Sequence, residues 1–317
     1  MTSPATLSIV VPVLDEEAAL DRCHAELARL AAAPEFSGFA WLEIVYVDDG
    51  STDGTARVLA RIAKTPGPVR VRVLTFSRNF GHSAAVMAGL EAAGGEFIAI
   101  LDADLQDPPE LLPAMFREIQ AGHDVVYGQR SRRDGESAFK RSSAWIFYRV
   151  LDKLTGVGIP ADTGDFRILT RQVRDAVISC KEQEPFLRGL VAWVGFRQKA
   201  FPYQRQRREV GTSKYPLRKM VRFAAGAVLS FSSLPLRIAI YLGFLGFAGS
   251  LAISVWVVGE YLQHRVIQGW TSVLLGYLYG QSITLITIGF IGLYIGQIEN
   301  QAKGRPRYIL RDDASGS

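Results

Sequence analysis

Two long stretches without charge constrain this chain more than any other feature. Ile238 to Val258 and Trp270 to Ile298 contain no Asp, Glu, Lys or Arg. Each exceeds the roughly 20 residues that a helix needs to cross a bilayer core. A helix suits such a run because it satisfies its own backbone polar groups. The connector, Glu260 to Gly269, is short and holds one arginine. Arg218, Lys219, Arg222 and Arg237 precede the pair, and Lys303, Arg305, Arg307 and Arg311 follow it. The bias of basic residues toward cytoplasmic flanks predicts a transmembrane hairpin with both ends in the cytoplasm. Trp256, Tyr261 and Trp270 suit the far interface, and a buried hairpin in a soluble protein is the alternative.

Composition agrees with a body and a membrane tail. The 317 residues are 48% hydrophobic, with a mean hydropathy of +0.12. Both values are high for a soluble enzyme, and most of the excess lies after Leu234. The net charge of +5 is mild; its basic residues crowd into 197–222 and return at 303–311, and no nucleic-acid partner is expected. Cys23 and Cys180 lack metal-ligand spacing and read as structural thiols in a reducing compartment. Leu7 to Val13 is apolar but short, and Asp15, Glu16 and Glu17 follow at once, so no signal peptide is expected. The body should stay in the cytoplasm, which makes the protein a multi-pass protein of the cell membrane.

The first half alternates strand and helix signals. Apolar runs at Leu7–Val13, Leu42–Val47, Val69–Phe76, Phe97–Leu101 and Val125–Tyr127 predict strands. Glu16 to about Ala33 and His82–Ala93 predict helices. Strands without polar alternation, separated by helices, imply a mostly parallel sheet covered on both faces. Ligands bind such sheets at the carboxyl ends of their strands. Polar clusters fall at those ends: Asp15 with Glu16, Asp48 with Asp49, Arg78 with Asn79, and Asp102 with Asp104. Between 142 and 236 the chain changes character. The helix opening at Trp145, Ile146, Phe147 and Tyr148, and the stretch from Arg222 to Leu236 around Phe231, suit either core packing or the membrane interface.

The segment Asp102-Ala103-Asp104-Leu105-Gln106-Asp107 follows the strand signal Glu96–Leu101. Two carboxylates at i and i+2 after a strand can share one cation. Oxygen ligands without His or Cys suit magnesium or manganese, which would neutralise a departing diphosphate. No glycine-rich phosphate loop follows the first strand, which argues against a dinucleotide site or a P-loop. Acidic loops with a metal fit a nucleotide-diphosphate sugar better.

The motifs carry a family resemblance. Ser8 to Glu17 resembles the P-x-x-N-E opening of family-2 glycosyltransferases, with Asp15 where asparagine is usual. Val47 to Thr55 resembles their V-D-D-G-S-x-D-G-T segment. Arg78-Asn79-Phe80-Gly81-His82 and Asp102 to Glu110 resemble the subset that uses polyprenyl phosphate, dolichyl-phosphate mannose synthases and bacterial undecaprenyl-phosphate glucosyltransferases among them. The resemblance covers nearly the whole chain and implies a GT-A domain. It places that catalytic domain at 1–213, a flap end and interfacial helix at 214–236, two transmembrane helices within 237–299, and a cytoplasmic basic tail at 300–317. Hairpins of this kind often associate, which allows a homo-oligomer.

The resemblance also implies roles. Pro12, Asp15, Glu16, Asp48 and Asp49 would cradle the base and ribose. Asp102, Asp104 and Gln106 would hold Mg2+ or Mn2+ and the diphosphate. Arg130 would meet the acceptor phosphate. Arg208 and Lys214, in a segment resembling R-x-x-G-x-S/T-K-Y, would close over the phosphates as a fork and a mobile point charge, with Arg205 a weaker candidate. Asp165, then Asp162, would serve as base or acceptor-orienting group. A phosphate monoester has its second pKa near 6, so orientation alone could suffice. His82 could touch a phosphate from a helix start, or simply cap or pack. The expected reaction is inverting transfer of a hexose, from UDP-glucose first and GDP-mannose second, to a polyprenyl phosphate such as undecaprenyl phosphate. Rival readings are a processive polysaccharide synthase, whose Q-x-x-R-W motif is absent from the sequence, and an inactive sugar-nucleotide sensor.

Overall fold

The structure is a computed structural model and describes residues 5–130, 163–183, 185–204, 241–246, 248–249, 251–252, 255–256, 259, 263 and 270–311. It divides into two units, one of residues 1–216 with 306–317 and one of residues 217–305.

The first unit is an α/β sandwich of layers. Its elements run β1 (Ala5–Val13), α1 (Glu17–Ala31), β2 (Phe39–Asp48), α2 (Thr55–Lys64), β3 (Arg70–Thr75), α3 (His82–Ala92) and β4 (Phe97–Ile100). They continue with α4 (Leu112–Gln120), β5 (Val125–Arg130), β6 (Thr163–Thr170), α5 (Arg171–Ser179), α6 (Leu187–Trp193) and β7 (Gln198–Tyr203). The seven-stranded sheet has the order β3-β2-β1-β4-β6-β5-β7. Strand β6 is antiparallel to both of its neighbours, and every other pairing is parallel.

The central strands are continuous apolar runs because helices cover both faces. Leu7, Val10 and Val11 of β1 and Ile98, Ala99 and Ile100 of β4 are all fully buried. Helix α1 places Leu20, Cys23, Leu27 and Leu30 on one buried stripe, as helical periodicity requires. Burial pushes the Cys23 thiol up to about 12, with the charges of Asp104 and Glu16 acting the same way; such a thiol is inert packing material.

Strand order reverses direction between β1 and β4: β2 and β3 extend to one side of β1, and β4 opens the other. Such a switch point is where an open parallel sheet forms its crevice. Pro12 helps to open it. The β1–β4 ladder ends at Val10↔Ile100, with Leu101 N–H donating to the Val10 carbonyl. A proline two residues on lacks the N–H that would continue toward β4, so the two strands part there.

Strands β6 and β7 were not expected from the sequence. The apolar residues of β6 follow directly on an acidic turn-like motif, and β7 lies in a basic stretch. In the second unit, α7 spans Trp270–Ala302, and its stretch Tyr279–Ala302 is long and apolar enough to cross a membrane. The Arg222–Leu236 stretch and the aromatic segment at Trp145 lie outside the described residues, as do 9 of the 21 residues of the first uncharged run. Beyond α7 the chain rejoins the first unit, where Leu310 forms an antiparallel bridge with Phe76 beside β3.

Candidate active site

The first two acidic loops are laced to one another. Asp15 takes a left-handed conformation, φ 53, which short polar side chains tolerate better than others; aspartate and asparagine share that tolerance. Its Oδ1 accepts from the N–H groups of Thr52 at 2.7 Å and Asp53 at 3.3 Å. Glu16 N–H donates to Thr55 Oγ1 at 2.9 Å. Asp48 is buried and accepts from Ser51 N–H at 2.9 Å, closing the turn after β2.

Asp49 joins that turn to the loop after β3. Its carboxylate accepts from Phe80 N–H at 2.7 Å and from Gly81 N–H at 3.0 and 3.1 Å. Burial raises its pKa against those hydrogen bonds. Gly50, at φ 72, lies so close to this loop that a Cβ would stand 2.4 Å from the Arg78 carbonyl carbon. Arg78 itself covers the Phe80 ring at 4.1 Å.

The third acidic segment follows β4. Asp104 Oδ1 accepts from Gln106 N–H at 3.1 Å, and Leu105 between them is held at φ 53. A leucine in that region is strained, and such strain persists where a surrounding site enforces it. Asp102 is pushed up to about 6, first by burial and then by the charges of Asp165, Asp107 and Asp104, with His82 opposing. A carboxylate crowded by three others has a deficit of positive charge that a divalent cation would fill. The donor set of Asp102 and Asp104, all oxygen, fits magnesium or manganese, with Gln106 buried beside it. Among the described residues, no three His, Cys, Asp or Glu side chains form a ready-made cage, so the two carboxylates would need oxygens from a bound diphosphate or water.

Strand β6 supplies the other wall. Its antiparallel register pairs Ile100 with Arg167; continued two residues further, that register sets Asp102 against Asp165. An irregularity between Tyr127 and Gln129 of β5 leaves extra residues on β6 around Gly164 and Asp165, a device that re-aims side chains near active sites. Asp165 is gripped by Arg188 Nε at 3.0 Å, His82 Nε2 at 2.9 Å and Arg167 Nη2 at 3.7 Å. Burial alone would raise its carboxyl, but Arg188, His82 and Arg167 hold it well below the usual carboxylate range. The His82 imidazole rises above its ordinary value: burial lowers it, and Asp165 and then Asp102 more than compensate.

Arg130 ends β5 on the same side. Its Nη2 lies 3.9 Å from Asp107 Oδ2, and its Nε is 3.5 Å from the Tyr203 hydroxyl, which in turn donates to Asp107. A Cβ on Gly164 would meet Arg130 Nη2 at 2.8 Å, so glycine there lets the guanidinium pass.

The structure therefore gathers Pro12, Asp15, Glu16, Asp48, Asp49, Asp102, Asp104, Gln106, Arg130 and Asp165 at one sheet edge. Asp162, Arg205, Arg208 and Lys214 lie outside the described residues. Sequence reasoning missed Arg188 and left the role of His82 open. Arg188 carries no motif; Arg167, at i+2 from Asp165 on a strand, had a spacing that could have been read.

This set of loops at the switch point has counterparts. The profile of glycosyl transferase family 2 matches residues 8–178. The chain belongs to that family. This family-2 glycosyltransferase is 41% identical over 305 residues to a protein of Bacillus subtilis named uncharacterized glycosyltransferase YkcC, covering 96% of this chain and 93% of the relative. It is 33% identical over 308 residues to the bactoprenol glucosyl transferase of Shigella phage SfV, covering 97% and 98%. Its fold resembles the UDP complex of glucosyl-3-phosphoglycerate synthase from Mycobacterium tuberculosis, with a TM-score of 0.50 at 18% identity, covering 71% of this chain and 79% of that one. The fold is thus the α/β glycosyltransferase fold, and the chain is a glycosyltransferase.

Proposed function

We propose that this glycosyltransferase moves a hexose from a nucleotide-diphosphate sugar to a polyprenyl phosphate, with inversion at the anomeric carbon. UDP-glucose is the favoured donor and GDP-mannose the next. The observation that carries this reading is the charge cluster beyond β4, where Asp102 interacts with Asp165, Asp107 and Asp104 and Arg130 lies 3.9 Å from Asp107. The full-length relatives named bactoprenol glucosyl transferase support a lipid-phosphate acceptor, bactoprenol being a polyprenyl lipid.

In this reading Pro12, Asp15, Glu16, Asp48 and Asp49 frame the base and ribose. Asp15 and Asp49 do so partly by bonding the loops together. Asp102, Asp104 and Gln106 hold Mg2+ or Mn2+, which when bound offsets the charge of the diphosphate. Arg208 and Lys214 close over the phosphates, and Arg130 meets the acceptor phosphate. A lipid phosphate oxygen attacks the anomeric carbon as the bond to the donor diphosphate breaks. An efficient general base has a pKa near the working pH, and Asp165 lies far below it. Asp165 therefore orients Arg188 and His82 toward the acceptor, and the dianionic phosphate needs no base. Asp162 remains its nearest alternative in sequence. A two-span hairpin at about 238–258 and 270–298, with cytoplasmic flanks, brings the enzyme to its lipid at the cell membrane; a homo-oligomer is compatible with it.

The test is a panel of radiolabelled nucleotide-sugars incubated with the purified full-length protein, undecaprenyl phosphate and Mn2+ or Mg2+. A chloroform-soluble sugar-lipid is expected, with an anomeric configuration opposite to that of the donor, and Asp104→Ala should abolish it while the protein stays folded. A growing polymer would point to the processive synthase instead, and nucleotide binding without any product would point to the sensor.

A further inference from the structure

The segment after α7 is bonded to the loop that holds Asp49. Ser77 N–H donates to the Ile309 carbonyl at 2.9 Å, and Arg311 N–H to the Thr75 carbonyl at 2.7 Å. Residues 309–311 thus pair with the end of β3 and the two residues after it, on the outer side of the outermost strand, where unpaired backbone groups would otherwise remain. Tyr308 stacks on Phe76 with ring centroids 4.8 Å apart and planes 11° from parallel. Phe76 is fully buried and meets Phe80 edge-on at 5.7 Å. Phe80 and Gly81 supply the N–H groups that hold Asp49, and the next residue, His82, bonds to Asp165.

The same segment grips the far end of α3. The Tyr308 hydroxyl donates to Glu91 Oε2 at 2.5 Å, and Arg307 Nη1 lies 3.5 Å from Glu91 Oε1. Arg307 also donates to the carbonyls of Glu182, at 2.8 Å, and Cys180. The loop and helix from Phe76 to Glu91 are therefore held at both ends by residues that follow the apolar helix in sequence.

We propose that Tyr308 and Arg307 are positioning residues for the nucleotide site: the docked segment sets the Phe76–His82 loop, and through it Asp49 and His82. This rests on the reading of Asp49 as part of that site. Two sites coupled through one element influence each other reciprocally, so nucleotide binding steadies the docked segment in return. A merely structural role would lower stability without separating the kinetic constants.

The experiment uses the full-length protein in detergent, with UDP as the probe, and measures amide hydrogen exchange together with donor KM and kcat. UDP should slow exchange in both 76–82 and 307–311. Tyr308→Ala should speed exchange in 76–82 and raise donor KM about tenfold, with a smaller change in kcat. Tyr308→Phe keeps the stack and loses the Glu91 bond, so it should stay within about threefold of wild type. If Tyr308→Ala fails to fold, Arg307→Gln carries the same comparison. Wild-type exchange in 76–82 with unchanged KM in a folded variant overturns the proposal. If the wild type binds neither UDP nor GDP, the site reading falls instead, and exchange in 76–82 alone then decides whether the segment positions the loop.

Discussion

His82 Nε2 lies 2.9 Å from Asp165 Oδ2, joining residues 83 positions apart in sequence. The contact connects the start of α3 to the start of the antiparallel strand β6, and each partner shifts the other toward its charged form.

The imidazole should consequently titrate above its ordinary 6.5. An NMR titration of the His82 ring resonances is expected to show that midpoint, and Asp165→Asn should lower it. Without the carboxylate, burial and the Arg188 charge favour the neutral ring, and Asp102 is left as the opposing charge. An unchanged midpoint in the variant would remove the pair from any account of the site.

Asp165→Asn should also cost stability, because it leaves Arg167 and Arg188 gathered around a neutral amide. Breaking a buried ion pair from one side costs roughly 3 kcal/mol or more. The folded carboxyl titrates well below its unfolded value, so its contribution is fully present above about pH 4 and is lost as pH falls through the folded pKa. Urea denaturation at pH 7 should reveal the deficit, and its narrowing in strong acid should track protonation of the wild-type carboxyl.

Asp102 behaves in the opposite sense. Its folded pKa is raised to about 6, so the ionised form is a burden that is present above that pH and vanishes as pH falls toward about 4. Metal-free Asp102→Asn should be more stable to unfolding than wild type at pH 7.5, by up to about 3 kcal/mol, and the difference should disappear near pH 4. Transfer should be lost in the same variant. Mn2+ should raise the melting temperature of wild type and leave Asp102→Asn unmoved; equal stabilisation of both would sink the assignment of Asp102 to the metal.

Gly164→Ala places a methyl group 2.8 Å from Arg130 Nη2. The guanidinium can swing aside, so the fold should survive. If Arg130 meets the acceptor, KM for undecaprenyl phosphate should rise about tenfold or more while donor KM stays near wild type, a loss of the size expected for one charged hydrogen bond. Steady-state kinetics with each substrate varied in turn checks the split.

Much of this architecture was legible before any coordinates. The strands at Leu7–Val13 and Phe97–Leu101 announced themselves because burial on both faces leaves a run of β-branched and apolar residues with no polar alternation. The acidic tips at Asp48, Asp49, Asp102 and Asp104 could be placed at strand ends because loop chemistry follows strand chemistry directly along the chain. The uncharged run from Trp270 likewise appears as the long helix α7, since length and apolarity alone select that form.

The direction of β6 was not legible. Period-two side-chain alternation is the same whether a strand runs parallel or antiparallel to its neighbour, yet only the antiparallel course brings Asp165 back to the edge where Asp102 lies. Nor could any local pattern pair Asp165 with His82 and Arg188, or seat Tyr308 on Phe76. The sequence by itself determined the elements, the acidic loop tips and the apolar helix, because those follow from the chemistry of neighbouring residues. The tertiary structure alone decided which charges neutralise one another and which segment braces the nucleotide loop, because ion pairs and ring stacks form between residues that only strand order and register bring within reach.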